Sequence, residues 1–473
     1  MIEKATPIRA RGHAPAARSL ALIVATAVTF ASVGPTAVPA RAQERVTTGQ
    51  PIIRDTEIEN LVRDYARPIL KAAGLGQHHV TVMIINNMDF NAFVMDGRHI
   101  FINAGALFQC KTPNEVIGIF AHETGHLAGG HLIRLREKLA QYQTRSIAAT
   151  LAGIGIMAAG ALAGGSAAQI GPAALLAPQS ALQHSLLAYV RTQEDQADHA
   201  GVKFLTMTHQ SARGMLDIFK RLAQESLYDT QNADPYLQTH PFPAEREATL
   251  ANLAKNSPYW NAKDPPALQL RHNMMRAKLS GYLESPGTVL RRYPLSNQSL
   301  PARYARAIST MLHGDQHRAI AEIDGLIRSE PTNPYFEEIK GQALLDDGHP
   351  QAAIAPYSRA VRLSHDAPLI ELELGQALVA TDKKQYADEA VKLLNTALAR
   401  EPDMSSGYMQ LALAYARKGD LAHADLASAK AAFHRGDTNT AHMLAERAKH
   451  RLAVGSPAWV QANDIVSAKT PKH

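Results

Sequence analysis

The chain has 473 residues, of which 46% are hydrophobic and 19% charged. Those proportions read as globular rather than disordered and suit two or three folded domains. The formal net charge is +6, but Lys4, Arg9, Arg11, Arg18 and Arg41 against Glu3 place +4 of it in the first 42 residues, so the rest of the chain lacks the basic footprint that nucleic acid binding requires.

Residues 1–42 read as a secretory signal peptide. A basic stretch ends at Arg18, an apolar run spans Leu20 to Val33, and Gly34-Pro35 leads to Ala40-Arg41-Ala42, a small-x-small cleavage pattern. The break at Gly34-Pro35 favours cleavage over a retained anchor and predicts a mature chain from Gln43. Asp55 to Leu75 has helical periodicity and ends near Gly74-Leu75-Gly76. Val80 to Ile85 is a β-branched run and reads as a strand. Phe93-Val94, Asp96-Gly97 and His99 to Ile102 predict a hairpin around a turn. Cys110 is the sole cysteine, so no internal disulfide forms, and a lone thiol of this kind is most often simply buried. Thr112 and Pro113 supply an N-cap and a first-turn proline for a helix carrying Val116 to His126.

No Asp, Glu, Lys or Arg occurs between Arg145 and Arg191, and 14 of the 22 residues from Ile147 to Ala168 are Ala or Gly. Length permits a membrane span there, but Ala and Gly supply little insertion energy. Residues 146–185 are therefore expected to be a mobile or membrane-touching excursion, with peripheral membrane contact. A long helix is predicted over Leu186 to Leu205. The last third repeats itself: Gly341-Gln342-Ala343-Leu344 recurs as Gly375-Gln376-Ala377-Leu378, and Ala319-Ile320-Ala321 as Ala353-Ile354-Ala355, both 34 residues on. After an insertion near Lys383 the frame continues through Ala390 and Ala424. A 34-residue period with small residues at helix crossings marks tetratricopeptide repeats, about four between Leu300 and Thr438 with a shorter capping stretch after them.

The chemistry centres on His122-Glu123-Thr124-Gly125-His126. Two imidazoles four residues apart on one helix face can share a zinc ion, and the glutamate between them can take a proton from water in the cleft. His131 resembles a third ligand in the metzincin spacing, yet it falls one residue early. It could approach only if Gly129-Gly130 breaks the helix, so a helix-end or supporting histidine is the preferred reading. Glu194 and Asp198, four apart on the later helix, fit better. Their arrangement is that of thermolysin-like sites, in which one carboxylate binds metal and the other orients a ligand histidine. Two histidines and Glu194 leave a fourth position open, as catalysis requires.

These motifs occur in one order with Asn91-Ala92-Phe93-Val94, Ile102-Asn103-Ala104-Gly105, Thr239-His240-Pro241 and Arg246. In this the chain resembles the HtpX-related metallopeptidases, and with its leader and repeats the BepA-like periplasmic proteases. The resemblance implies a periplasmic zinc endopeptidase, one Zn2+ per chain, acting on misassembled outer-membrane β-barrel precursors alongside their assembly machinery. It implies that Asn91, Ala92 and Phe93 lie on an edge strand that binds extended substrate by strand addition, ordinary core sheet being the alternative. It also implies that the stiff loop around His240 lies beside the site, where His240 donates to the oxyanion or caps the metal as a latch; a turn histidine bonded to backbone is the plainer reading. Arg246 pairs with Asp198 or another site carboxylate, or forms a surface salt bridge. A rival function is an assembly chaperone or holdase in which the repeats act and proteolysis is minor; the intact Glu123 favours chemistry. The expected fold is mainly α: a zincin-like α+β metallopeptidase domain (43–265) with a small edge-stranded sheet, a linker helix (266–299) and a helical repeat solenoid (300–465).

Overall fold

The computed structural model describes residues 52–78, 80–144, 173–228, 236, 240–241 and 244–468, and of 173–185 and 225–228 the backbone alone. The expected signal peptide, Thr239, Pro243 and most of the charge-free segment lie outside these residues.

The first helix, α1 (Thr56–Ala72), starts where the Asp55 side chain accepts from the Ile58 amide. Ile58, Leu61, Val62, Tyr65 and Ile69 then recur at helical spacing and are all buried, each large apolar side chain contributing about 1.5–3 kcal/mol. They face a sheet of four strands, β1 (Ile52–Ile53), β2 (Thr81–Ile85), β3 (Ala92–Val94) and β4 (His99–Asn103), in the order β1-β2-β4-β3. The expected hairpin is β3–β4, antiparallel with Phe93 opposite Phe101. Its turn is set by Gly97 at φ +79° and by Asp96, which accepts from the Arg98 and His99 amides. Among the described strands β3 is an outer one, and it packs on the helix that carries the histidine motif.

After a short helix α2 (Ala104–Gln109) comes that helix, α3 (Pro113–Ala128), with Pro113 in its first turn and Thr112 accepting from the Glu115 amide; such a cap stabilises by about 1 kcal/mol. Cys110 is buried. A helix α4 follows over residues 131–144. The predicted long helix is α5 (Ala173–Met207), so the end of the charge-free segment is helical. Helices α6 (Arg213–Tyr228) and α7 (Ala244–Lys255) complete the layer around α3 and α5. No helix among the described residues is long and apolar enough to cross a membrane.

What the sequence reads as one linker helix is two, α8 (Pro266–Leu283) and α9 (Pro286–Arg292). Antiparallel pairs follow: α10 (Leu300–His313) with α11 (Gln316–Ser329), α12 (Pro334–Asp346) with α13 (Pro350–Leu363), α14 (Pro368–Ala380) with α15 (Ala387–Arg400), α16 (Ser405–Lys418) with α17 (Leu421–His434), and α18 (Thr438–Lys449) with α19 (Pro457–Ser467). The repeated tetrapeptide has a steric cause. A Cβ on Gly341 would lie 2.6 Å from the Tyr357 ring, and one on Gly375 2.5 Å from Leu394, so each glycine lets the two helices of its repeat touch.

The region from α1 to α7 and the repeats meet at Lys278 of α8, which is 1% exposed. Its Nζ lies 2.6 Å from Asp55, 3.4 Å from Glu57 and 3.6 Å from Glu338 of α12. Tyr304 of α10 donates to Glu57. Arg54 reaches further, pairing with Glu401 at 2.7 Å after α15 and contacting the Met404 sulfur.

Candidate active site

His122 and His126, one turn apart on α3, point the same way: their rings are 4.7 Å apart and their Nε2 atoms 3.0 Å apart. Glu194 enters from α5, with Oε2 3.4 Å from His122 Nε2 and Oε1 3.3 Å from His126 Nε2. The two helices can come this close because Gly125 has no side chain; a Cβ there would lie 2.7 Å from the Ala197 carbonyl oxygen. His240 closes the group, its Nδ1 3.1 Å from both Glu194 oxygens and 3.4 Å from His122 Nε2. One ligand atom from each of these four buried residues lies within 4.8 Å of every other. Phe219 of α6 packs edge-on against His122 and limits its ring from behind.

Behind the ligand atoms stands a layer of support. His122 Nδ1 is 2.9 Å from Asp198. Arg246 holds Asp198 through Nε at 2.6 Å and Nη2 at 2.9 Å, pairs with Glu194 at 2.9 Å, and donates to the Pro241 carbonyl. One guanidinium thus ties both carboxylates to the loop of His240. Burial disfavours charge on His122, but Asp198 and Glu194 outweigh it and push the His122 pKa up to about 9. Burial, opposed by Glu194 but reinforced by His122 and His240, brings His126 down to about 3. Burial also opposes charge on Glu194 and Asp198; the histidines hold Glu194 well below the usual range, and Arg246 lowers Asp198.

Glu123 lies beside these convergent residues, fully buried. Its Oε2 has no hydrogen-bond partner; its Oε1 is 3.4 Å from the Tyr236 hydroxyl and 3.8 Å from His240. Burial raises its pKa, which makes this carboxylate a stronger proton acceptor. Tyr236 itself has no signature in the sequence. Its ring stacks on His240 at 4.6 Å and meets Phe90 edge-on, so two residues four apart face the same site.

The remaining sequence candidates fall nearby in different ways. The helix does break after Ala128, with Gly130 at φ +62°, and His131 turns back towards His126. It reaches the outward Nδ1 of that ring, at 3.0 Å, and is not one of the four convergent residues. Ala92 and Phe93 are buried, and Phe93 stacks on Phe101; the Asn91 carbonyl accepts from the Asn103 amide. An extended peptide added at β3 would meet its backbone and not these side chains.

Residues 53–254 match the model of Peptidase family M48, and residues 304–368 and 372–440 match that of a tetratricopeptide repeat. The chain is 24% identical over 380 residues to the "Beta-barrel assembly-enhancing protease" of Yersinia pestis, covering 78% of this chain and 74% of that protein. To the protein of the same name from Escherichia coli (strain K12) it is 24% identical over 375 residues, 77% of this chain and 73% of the other. Over 209 residues it is 28% identical to a "Putative beta-barrel assembly-enhancing protease" of Vibrio cholerae, 44% of this chain and 42% of the relative.

Proposed function

As a metallopeptidase with an M48 domain ahead of tetratricopeptide repeats, this protein, we propose, uses one zinc ion held by His122, His126 and Glu194 to cleave exported proteins during outer-membrane β-barrel assembly. The observation that carries the reading is the convergence of these ligand atoms, buried, beside a carboxylate oxygen of Glu123 that has no partner. Two imidazole nitrogens and one carboxylate are a donor set suited to zinc. Zinc bound there would supply Lewis acidity that acidifies water and polarises a peptide carbonyl.

The chain's own residues do the rest. Glu123 takes the proton of the attacking water and returns it to the amide nitrogen of the departing segment. Asp198, clamped by Arg246, accepts from His122 Nδ1 and so keeps the Nε2 lone pair inward. The backbone of Asn91, Ala92 and Phe93 aligns an extended substrate along β3. His240 lies as near the ligand atoms as they lie to one another, which supports its role as a latch in the fourth position over that of an oxyanion donor. The repeats recognise protein partners along an extended groove; that these are β-barrel precursors and their assembly machinery rests on the names of the relatives. The basic and apolar pattern of residues 1–42 supports export to the periplasm.

Zinc analysis and casein cleavage by the wild type and Glu123→Gln test the reading. The variant should keep about one zinc per chain and lose cleavage. Full activity in Glu123→Gln would overturn the mechanism.

A further inference from the structure

We propose that His131 is the positioning residue of His126, its Nδ1 accepting the hydrogen bond from His126 Nδ1–H and thereby fixing the tautomer whose Nε2 faces the metal. The proposal rests on the metal-site reading above and extends it to a residue outside the convergent four.

A neutral imidazole carries one N–H, so a ring that offers its Nε2 lone pair must bear hydrogen on Nδ1, and that N–H needs an acceptor when buried. Both ligand rings turn Nε2 inward, where the two nitrogens are 3.0 Å apart, and Nδ1 outward. His122 meets Asp198 there. His126 meets His131 Nδ1 at 3.0 Å, with the rings 5.0 Å apart and at 85° to each other. The acceptor is itself held. His131 is 3% exposed, its carbonyl accepts from Gln193, and the Gln196 side chain hydrogen-bonds to its ring. Helix α5 therefore supplies a ligand in Glu194 and also the two glutamines that seat His131.

Two glycines make the contact possible. Gly130 at φ +62° turns the chain out of the helix. A Cβ on Gly129 would lie 2.3 Å from His131 Nε2, so the ring occupies the space that a side chain would fill. The two ligand histidines thus have unlike supports. Asp198 is an anion neutralised by Arg246, whereas His131 orients its partner without adding negative charge next to Glu194.

Zinc affinity, read by competition with a chromogenic chelator, tests this in wild type, His131→Leu, His131→Asn and Gly129→Ala, with metal-free melting curves alongside. His131→Leu should bind zinc about 10–100-fold more weakly. His131→Asn, whose Oδ1 can still accept, should recover to within roughly threefold of wild type. Gly129→Ala keeps the imidazole but displaces it, and should fall between. A packing role would reverse the order, with Leu tolerated and Asn not; that ranking, or wild-type affinity in His131→Leu, overturns the proposal. Should His131→Leu fail to fold, weakened binding in Gly129→Ala with near-normal binding in His131→Asn supports it, and the opposite pattern overturns it. A wild-type protein that takes up no zinc would instead sink the metal-site reading itself.

Discussion

The peptidase site and the seam at Lys278 both bury charge, but they offset its cost differently. In the site the opposite charges are matched, and the unpartnered oxygen is that of Glu123, beside the convergent atoms. Asp198 and Arg246 face each other, the histidine and Glu194 ligand atoms converge, and the space they enclose suits a cation. At the seam carboxylates outnumber the ammonium. Asp55, Glu57 and Glu338 surround Lys278, and the buried Oε2 of Glu373 lies behind them without a partner. That excess is relieved by protons: burial raises the pKa of Glu57, pushes Glu338 up to about 7 and Glu373 well above its usual range. The first group converges as a candidate metal site, and the second is balanced by staying partly protonated.

Removing a ligand should break the first arrangement outright. His126→Ala and Glu194→Ala are expected to lose both zinc and cleavage, read by metal analysis and a casein assay; retained zinc in Glu194→Ala would remove that residue from the ligand set. Glu123→Gln sharpens the contrast, because it should leave zinc in place while turnover falls by about 10²–10⁴-fold. His240→Ala separates its two roles with a smaller effect: a latch predicts raised basal or self-cleavage, an oxyanion donor a loss on the order of 10²-fold. Wild-type activity with unchanged zinc would leave neither standing.

The smallest effect belongs to the seam. Glu338 holds a proton in the folded state up to about pH 7, whereas unfolded it would release it near the ordinary glutamate value of 4.5. The native state binds more protons across that window, so this contribution is full below pH 4.5 and is lost as pH rises to 7. Glu338→Gln has no such proton to lose. Its melting temperature should exceed wild type by a few degrees at pH 8 and by less at pH 5; an equal difference at both would show that Glu338 does not titrate there.

What could be read from the sequence was local. Thr112, Pro113 and the four-residue spacings of His122/His126 and Glu194/Asp198 are set by one helical turn, so their placement followed from position alone. The 34-residue period was visible because Gly341 and Gly375 meet the same need in successive repeats. The rest depended on distant partners. Lys278 looks like a surface residue until Asp55 and Glu338 are brought to it. Arg246 had several candidate carboxylates, and the fold gives it two of them, Asp198 and Glu194. Tyr236 lies in no motif, and the turn that aims His131 depends on a left-handed glycine whose consequence the sequence does not display. The start of α5 at Ala173 was hidden because a charge-free run has no polar face to mark its period.

The contact from Arg54 to Glu401 joins residues 347 positions apart. A chain made from its N-terminus delivers Arg54 and Glu57 early, yet their partners Tyr304 and Glu401 come only with the repeats. Closing a loop of that length is slow relative to the local pairing of helices. Glu59 and Lys278 can engage Arg54 and Glu57 earlier, so it is the Arg54–Glu401 pair just ahead of α1 that waits for the third repeat. A chain stopped before residue 401 would carry α1 with its outermost anchor missing.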